Sequence, residues 1–360
     1  MRRLKIWLGP LALALLVLLF STSVSSQGTG QAITYEELKK TNVSLELVGF
    51  EFASGMRPDA NGKPNGNGLE MVEAQWSGSG FLVQGDGTII TNYHVARRTL
   101  GGRAVFEDGS YFDIGQIKVY DPVHDIAVMK IKAQKQFPVC KLGNSDGVNV
   151  MDRVLAVGNA LGQHMAVTEG MINQVFVDDN NVRYQIRHSA TIAPGNSGGA
   201  LYRGDEVVGI NVSGYLGYSI YYSIPINIAK PLLDPAKPWV ALPQAFPANP
   251  DAIFKRAQQV FVQNGQVPAA TKQAIGTVGW TLNVRHLQDL LLEVKCPGRD
   301  LALLIVDPQQ NKPLGLGDLH QLDTDYLFFS PQQDGQVAIY VANYDNKPAN
   351  FALAAYQIIW

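Results

Sequence analysis

Between Gly80 and Asn211 the chain is a succession of short β-rich runs: FLVQ, TIITN, IKVYD, IAVMKI, RVLAVG, NQVFV and EVVGIN. Turn signals such as Gly85-Asp86-Gly87 and Asp108-Gly109 separate them. Short strands at this spacing, with almost no helical periodicity, predict an all-β barrel or sandwich. At 360 residues the chain is long enough for two ordinary domains. Its 46% hydrophobic and 17% charged composition is that of a globular protein. A net charge of −2 argues against nucleic-acid binding, which needs clustered Lys and Arg.

The first residues read as a leader. Arg2, Arg3 and Lys5 form a charged start, an apolar run follows over 11–20, and small residues fill 21–26. Gly9-Pro10 shortens the apolar stretch below what a bilayer span needs. A signal peptide over 1–26 and an exported, periplasmic or secreted product are therefore expected. An uncleaved membrane anchor is the alternative. Cys140 and Cys296 are the only cysteines, and a chain of this size does not need a disulfide; two buried free thiols are expected.

Six prolines between Pro231 and Pro250 mark a linker over 236–250 that closes a first domain over 31–235. A helix is predicted next, with Asn249 as cap, Pro250 in the first turn, and Ile253, Ala257, Val260 and Phe261 on one face. Asn264-Gly265 would end it. LALLIVD (301–307) and QVAIYVANY (336–344) return to strand character, giving a helix plus a sandwich-like unit over 251–360. The Gly- and Asn-rich stretch 55–68 reads as a surface loop.

Three segments carry candidate chemistry, in the order TNYHV with His94, DIAV with Asp125, and GNSGGA with Ser197. A serine hydroxyl is a poor nucleophile near neutral pH and needs a base beside it. Histidine titrates in the right range to act as that base and then as an acid. A buried carboxylate fixes the imidazole tautomer and stabilises its charged form. Glycines beside Ser197 let the Gly195 and Ser197 amides face a developing oxyanion. His94, Asp125 and Ser197 are thus the candidate catalytic triad.

These segments resemble the HtrA (Do-type) serine proteases of the trypsin-like, chymotrypsin clan. GSGFLVQGDGTIITNYHV (78–95) is similar to their histidine segment and DPVHDIAVMKI (121–131) to their aspartate segment. LGNSDGVNVMDRVLAVGNALG (142–162), TIAPGNSGGAL (191–201), VVGIN (207–211) and YSIPIN (222–227) complete the likeness. The resemblance implies a double β-barrel with the triad in the cleft between barrels. Two departures stand out. Nothing after Asp234 reads as the PDZ domain that the family's defining members carry. Val212 replaces a hydroxyl residue, which implies one hydrogen bond fewer for Asp125. The tail resembles the pre-peptidase C-terminal modules of secreted bacterial proteases, in 299–308, 323–341 and 349–355.

The same resemblance places Thr191 at the base of the primary specificity pocket, with Ile192 and the wall Val212, Ser213, Gly214 and Tyr215. None is charged, so small to medium apolar side chains are expected there. Asn196 stands where digestive relatives have an aspartate that pairs with a new amino terminus, so control is expected from the loops 159–166 and 213–222 instead. Proteins or peptides are the expected substrates, and no cofactor or metal site is expected, the histidines lacking metal-ligand spacing. Homo-oligomer formation and a transient membrane contact through the leader are left open. A binding or chaperone-like protein built on a protease scaffold is the alternative function.

Overall fold

The structure, a computed structural model, describes residues 33–358 apart from 54–56, 59–63, 66–69, 161–164, 216–219, 243–256, 272–273, 286–287, 298, 300, 318–322, 332–333 and 344. The leader over 1–26 lies outside the described residues, as do the centres of both candidate control loops and the second half of the linker. Of the stretch 55–68, Arg57–Pro58 and Pro64–Asn65 pair as a short ladder; the remainder is likewise outside.

Strands Asn42–Ala53, Glu70–Gln84, Thr88–Thr91, Thr99–Val105, Tyr111–Asp121 and Ile126–Ile131 close into a six-stranded barrel. Side chains alternate across a strand, and here both faces are needed. Leu82 and Ile89 point into the barrel beside Leu45, Ala127 and Met129. Phe81 and Ile90 point out, onto Val157, Tyr202 and Ile210 of a second unit. That double demand explains why FLV and TII read as unbroken apolar runs rather than alternating ones.

The second unit is also a closed six-stranded barrel, of Arg153–Gly158, Ala166–Val177, Arg183–His188, Ala200–Arg203, Glu206–Tyr215 and Ile220–Pro225. Val154, Ile172, Ile186, Leu201 and Val208 fill its interior. A polar tie crosses the seam. Asn42 Nδ2 of the first barrel donates to the Tyr202 hydroxyl of the second at 2.9 Å, and the Cys140 thiol lies 2.9 Å from the same oxygen. Burial pushes that thiol up to about 11, so it stays protonated and packs as a small hydrophobe. Cys140 and Cys296 are both buried. Ahead of the first strand, the helix Tyr35–Thr41 starts at a capping box between Thr34 and Glu37 and lays Leu38 into the seam.

Two expectations about the chain beyond the barrels need correction. The predicted linker does not begin cleanly at 236. Val240–Ala241 pairs with Ile117 and Gln116 of the first barrel, and Leu242 is buried in that barrel's core. Of the predicted helix, 249–256 lies outside the described residues, and the rest is a strand, Ala257–Val267, paired with Ala349–Ile358 across one irregularity between Gln259 and Phe261. Apolar residues at 257, 260 and 261 suit a helix face, but Gln-Val-Phe-Val-Gln is also a β-branched and aromatic run. The long-range ladder decides, and Asn264-Gly265 continues the strand.

Eight strands from Ala257 to Ile358 form two four-stranded sheets packed face to face. One orders as 257–267, 349–358, 290–296, 323–329 and the other as 276–284, 335–343, 301–307, 312–317. This nesting of early and late strands is that of a jelly roll. Leu292, Val294 and Leu353 of one sheet meet Leu303, Ile339 and Val341 of the other. Leu303 has no exposed surface. Leu303→Ala should therefore cost the sandwich about 2–5 kcal/mol, read as a lowered urea midpoint at unchanged slope.

Candidate active site

His94 sits on the four-residue helix Tyr93–Ala96, directly after strand Thr88–Thr91. Asp125 precedes strand Ile126–Ile131 in a left-handed conformation, φ 56°. Aspartate is among the few residues that tolerate that region. The two are joined twice. His94 Nδ1 lies 2.7 Å from Asp125 Oδ2, and the His94 backbone amide donates to Oδ1 at 2.8 Å. The Asp125 carbonyl accepts in turn from Asn92 Nδ2 at 2.9 Å and the Tyr93 amide at 3.1 Å. Asp125 is 6% exposed, so the carboxylate is dry and the imidazole is held edge-on to it. Val212 brings no side-chain donor to this carboxylate. Among the described residues, both oxygens are engaged by His94 alone.

Ser197 comes from the second barrel, on the loop between strands Arg183–His188 and Ala200–Arg203. Ala193-Pro194-Gly195-Asn196 makes a turn closed by the Asn196 amide on the Ala193 carbonyl at 3.0 Å, with Gly195 at φ 100°. Proline second and a positive-φ glycine third is the pattern of a type II turn. The central peptide's direction fixes where the Gly195 amide points. Among the described residues, neither the Gly195 nor the Ser197 amide has a protein acceptor. The Ser197 hydroxyl donates to the Val212 carbonyl at 3.0 Å rather than to His94.

The loop is pressed onto the first barrel. The Ser79 amide donates to the Ser197 carbonyl at 2.8 Å, and Ser79 Oγ donates to the Gly195 carbonyl at 2.7 Å. Ser79 Oγ also accepts from the Asn159 amide, and Thr91 Oγ1 donates to the Ser79 carbonyl. A side chain on Gly198 would lie 2.2 Å from Thr91 Oγ1, and one on Gly199 would lie 2.1 Å from the Val157 carbonyl. Both positions exclude a Cβ. Ser79 is a site residue that sequence reasoning passed over; the flanking glycines Gly78 and Gly80, which let backbones approach this closely, were its only signal.

The candidate pocket residues part company. Thr191 is exposed and its carbonyl accepts from Thr168 Oγ1. Ile192 is buried in the interior of the second barrel, so it does not line an open pocket. Gly214 lies against the ring of Tyr221, where an added Cβ would come within 2.1 Å of the ring. Tyr221 thus packs against the candidate wall strand at Gly214, a contact no sequence spacing signalled. Ser213 and Tyr215 continue the same strand. Asn196 is 2% exposed and its Oδ1 has no partner among the described residues. His124, beside Asp125, turns outward to Asp121 at 2.8 Å.

Behind the Ser197 loop runs a buried polar chain. Asn211 Nδ2 donates to the Val157 and Ala200 carbonyls, and its backbone bonds Gly198 and Gly199. Ser223 Oγ donates to Asn211 Oδ1, which leaves the hydroxyl oxygen to accept from His188 Nε2 at 3.0 Å. Burial pushes the His188 imidazole down to about 4, the Ala190 backbone opposing in part.

Two closed six-stranded barrels carry the paired His94 and Asp125 and the glycine-framed Ser197. Residues 78–210 match the family model described as a trypsin-like peptidase domain. A protein of Pseudomonas fulva (strain 12-X) named "Probable periplasmic serine endoprotease DegP-like" is 36% identical over 196 residues, covering 52% of this chain and 40% of its own. A Chlamydia pneumoniae protein of the same name is 40% identical over 167 residues, covering 44% and 33%. The chain thus spans less than half the length of these relatives. Among solved structures, "HtrA-type protease AlgW with decapeptide" matches at 27% identity and a TM-score of 0.43, over 55% of this chain and 65% of that one.

The His188 position yields a test. Its folded pKa lies below the ordinary value of 6.5, so the unfolded chain takes up this proton first as pH falls. Stability is full above pH 6.5 and is lost between 6.5 and 4, by roughly 3 kcal/mol. Urea unfolding at pH 7 and pH 4.5 should show this loss, and His188→Gln should flatten it.

Proposed function

We propose that the chain is a serine endopeptidase with His94, Asp125 and Ser197 as its triad. The observation that carries this reading is the two-point grip of Asp125 on His94, in the same barrel whose Ser79 amide holds the Ser197 carbonyl. With Nδ1 turned to Asp125, the imidazole keeps Nε2 for the serine side. On substrate binding, Ser197 Oγ leaves the Val212 carbonyl, passes its proton to His94 Nε2 and attacks the peptide carbonyl carbon. The oxyanion of the tetrahedral intermediate takes hydrogen bonds from the Gly195 and Ser197 amides, each typically worth about 3 kcal/mol of barrier. Asp125 stabilises the imidazolium, which then protonates the leaving amine. Water repeats the sequence on the acyl-enzyme and restores Ser197.

The edge of the strand Glu206–Tyr215 beyond Asn211 has no strand partner on the nucleophile side among the described residues. An extended peptide fits there as an added antiparallel strand. No charge stands at Thr191, and Tyr221 backs the wall, which supports small to medium apolar P1 residues. The periplasmic names of the relatives and the leader support an exported location. The bond from Ser197 to Val212 favours the alternative, a binding protein on a protease scaffold, only if it persists with substrate present.

A fluorophosphonate probe should label wild-type protein and leave Ser197→Ala unlabelled. That variant should lose casein hydrolysis by about a millionfold, and His94→Ala nearly as much. Wild-type rates in Ser197→Ala would refute the assignment. Peptides with Ala or Val at P1 should exceed Arg at P1 by roughly 100-fold in kcat/KM; a preference for Arg would overturn the pocket reading.

A further inference from the structure

The helix that carries His94 has a single turn, too short to hold itself in place. Its amino-terminal end is fixed by Asp125, through Asn92 Nδ2 and the Tyr93 and His94 amides. Trp76 Nε1 holds its middle at the Val95 carbonyl, 2.7 Å. Its carboxy-terminal end is held from another domain. Arg97, the cap residue, donates to Asp289 Oδ1 of the sandwich at 2.7 Å and to Ser330 Oγ at 3.0 Å. Arg98 reaches the same Asp289 oxygen at 3.3 Å and lays its guanidinium over the Phe328 ring, 5.1 Å from the centroid.

This contact differs from a surface ion pair. The Asp289 side chain has no exposed surface, and those of Arg97 and Arg98 are 14% and 10% exposed. Two neighbouring cations converge on one dry carboxylate, and each would be strained without it. Arg98 also sits at φ 62°, wedged over Gly49, where an added Cβ would lie 2.1 Å from its carbonyl. A non-glycine residue stays in that region only where its surroundings hold it there. Asp289 is itself fixed, its carbonyl accepting from the Ile358 amide at 2.9 Å. The influence extends toward the site: burial raises the pKa of the Tyr93 hydroxyl, and the Asp289 charge adds to the rise.

We propose that Asp289 is a positioning residue for His94, so that the C-terminal sandwich, through Arg97 and Arg98, completes the geometry of the active site. The proposal rests on the triad reading above. The histidine helix is pinned between two aspartates, Asp125 at one end and Asp289 at the other. Release of the second lets the turn tilt about Asn92 and opens the contact between His94 and Asp125. Peptide binding along 212–215 involves neither residue and is untouched.

The test uses the full chain. Asp289→Asn should lower kcat per titrated active site by about 10- to 100-fold, because small misplacements of a catalytic group are costly. KM should stay within about twofold, as expected for a residue that acts on the chemical step. The acid limb of the kcat/KM profile should move to lower pH. A looser grip by Asp125 and the lost negative charge at 289 both disfavour protonated His94; burial keeps the neighbouring Tyr93 hydroxyl neutral throughout. Arg97→Gln, which removes the same bond from the other side, should likewise lower kcat per titrated active site if Asp289→Asn fails to fold; because it deletes a cation rather than an anion, kcat and not the acid limb is its readout.

A readout independent of hydrolysis is the NMR titration of His94 in chains that also carry Ser197→Ala, with histidine-labelled protein and His94→Gln for assignment. Its pKa should fall in Asp289→Asn. A reduced melting temperature or titratable fraction, with kcat per site, acid limb and His94 titration unchanged, would overturn the proposal and leave Asp289 an interdomain tether. A wild-type chain that hydrolyses nothing would instead sink the triad reading, and the His94 titration would still decide the coupling.

Discussion

Everything at the candidate site depends on how closely one loop of the second barrel can approach the first. Ser79 and Thr91 of the first barrel receive the backbone of Gly195, Ser197 and Gly198 with no intervening side chain. A methyl group at 198 or 199 would meet backbone or hydroxyl oxygen well inside contact distance. Such a seam admits no gradual loosening, because dense interiors respond to lost complementarity in discrete steps. It also sets the depth of the cleft: His94 and Asp125 ride on the first barrel, Ser197 on the second, and their relation is that of the two barrels.

Polar groups inside such a seam are costly unless each finds a partner. Asn42, Asn211 and Ser223 show how this is met: each donates or accepts within the fold, at the seam or behind the Ser197 loop. Asn42 and Asn211 both begin an Asn-X-Ser pattern, and their burial inside these bonds takes them out of reach of surface modification. His188 extends the network at a cost that depends on acidity.

How much of this the sequence displays differs by region. The residues of the proposed triad are legible because the chemistry proposed for them permits few substitutes, and Gly195, Gly198 and Gly199 are legible because their backbone geometry permits none. Ser79 and Tyr221 are not. A serine between glycines and a tyrosine in an apolar strand have many ordinary explanations, and only the folded chain shows what they touch. Ile192 has the right composition for a pocket wall but faces the barrel interior, because strand alternation and the turn at Pro194 decide its direction. The segment 257–267 is misread for a further reason: its apolar spacing satisfies a helix, and the strand that overrules it comes at the far end of the chain. Asp289 carries no local signal at all, since its meaning lies in two arginines of another domain.

The sandwich's strand order has a consequence for how such a chain comes into being. Its first strand, Ala257–Val267, pairs along its length with Ala349–Ile358, the last strand described. The sheet therefore closes only once residues 349–358 are available. The two barrels have no such wait, since their strands all precede residue 242. If the histidine helix takes its final anchor from the sandwich, a newly made chain passes through an interval in which both barrels are folded and the cleft is formed while its general base is still loosely held. Topology would then act as a timer: the order of synthesis alone would keep the protein from cutting its neighbours, or itself, until the last strand is in place.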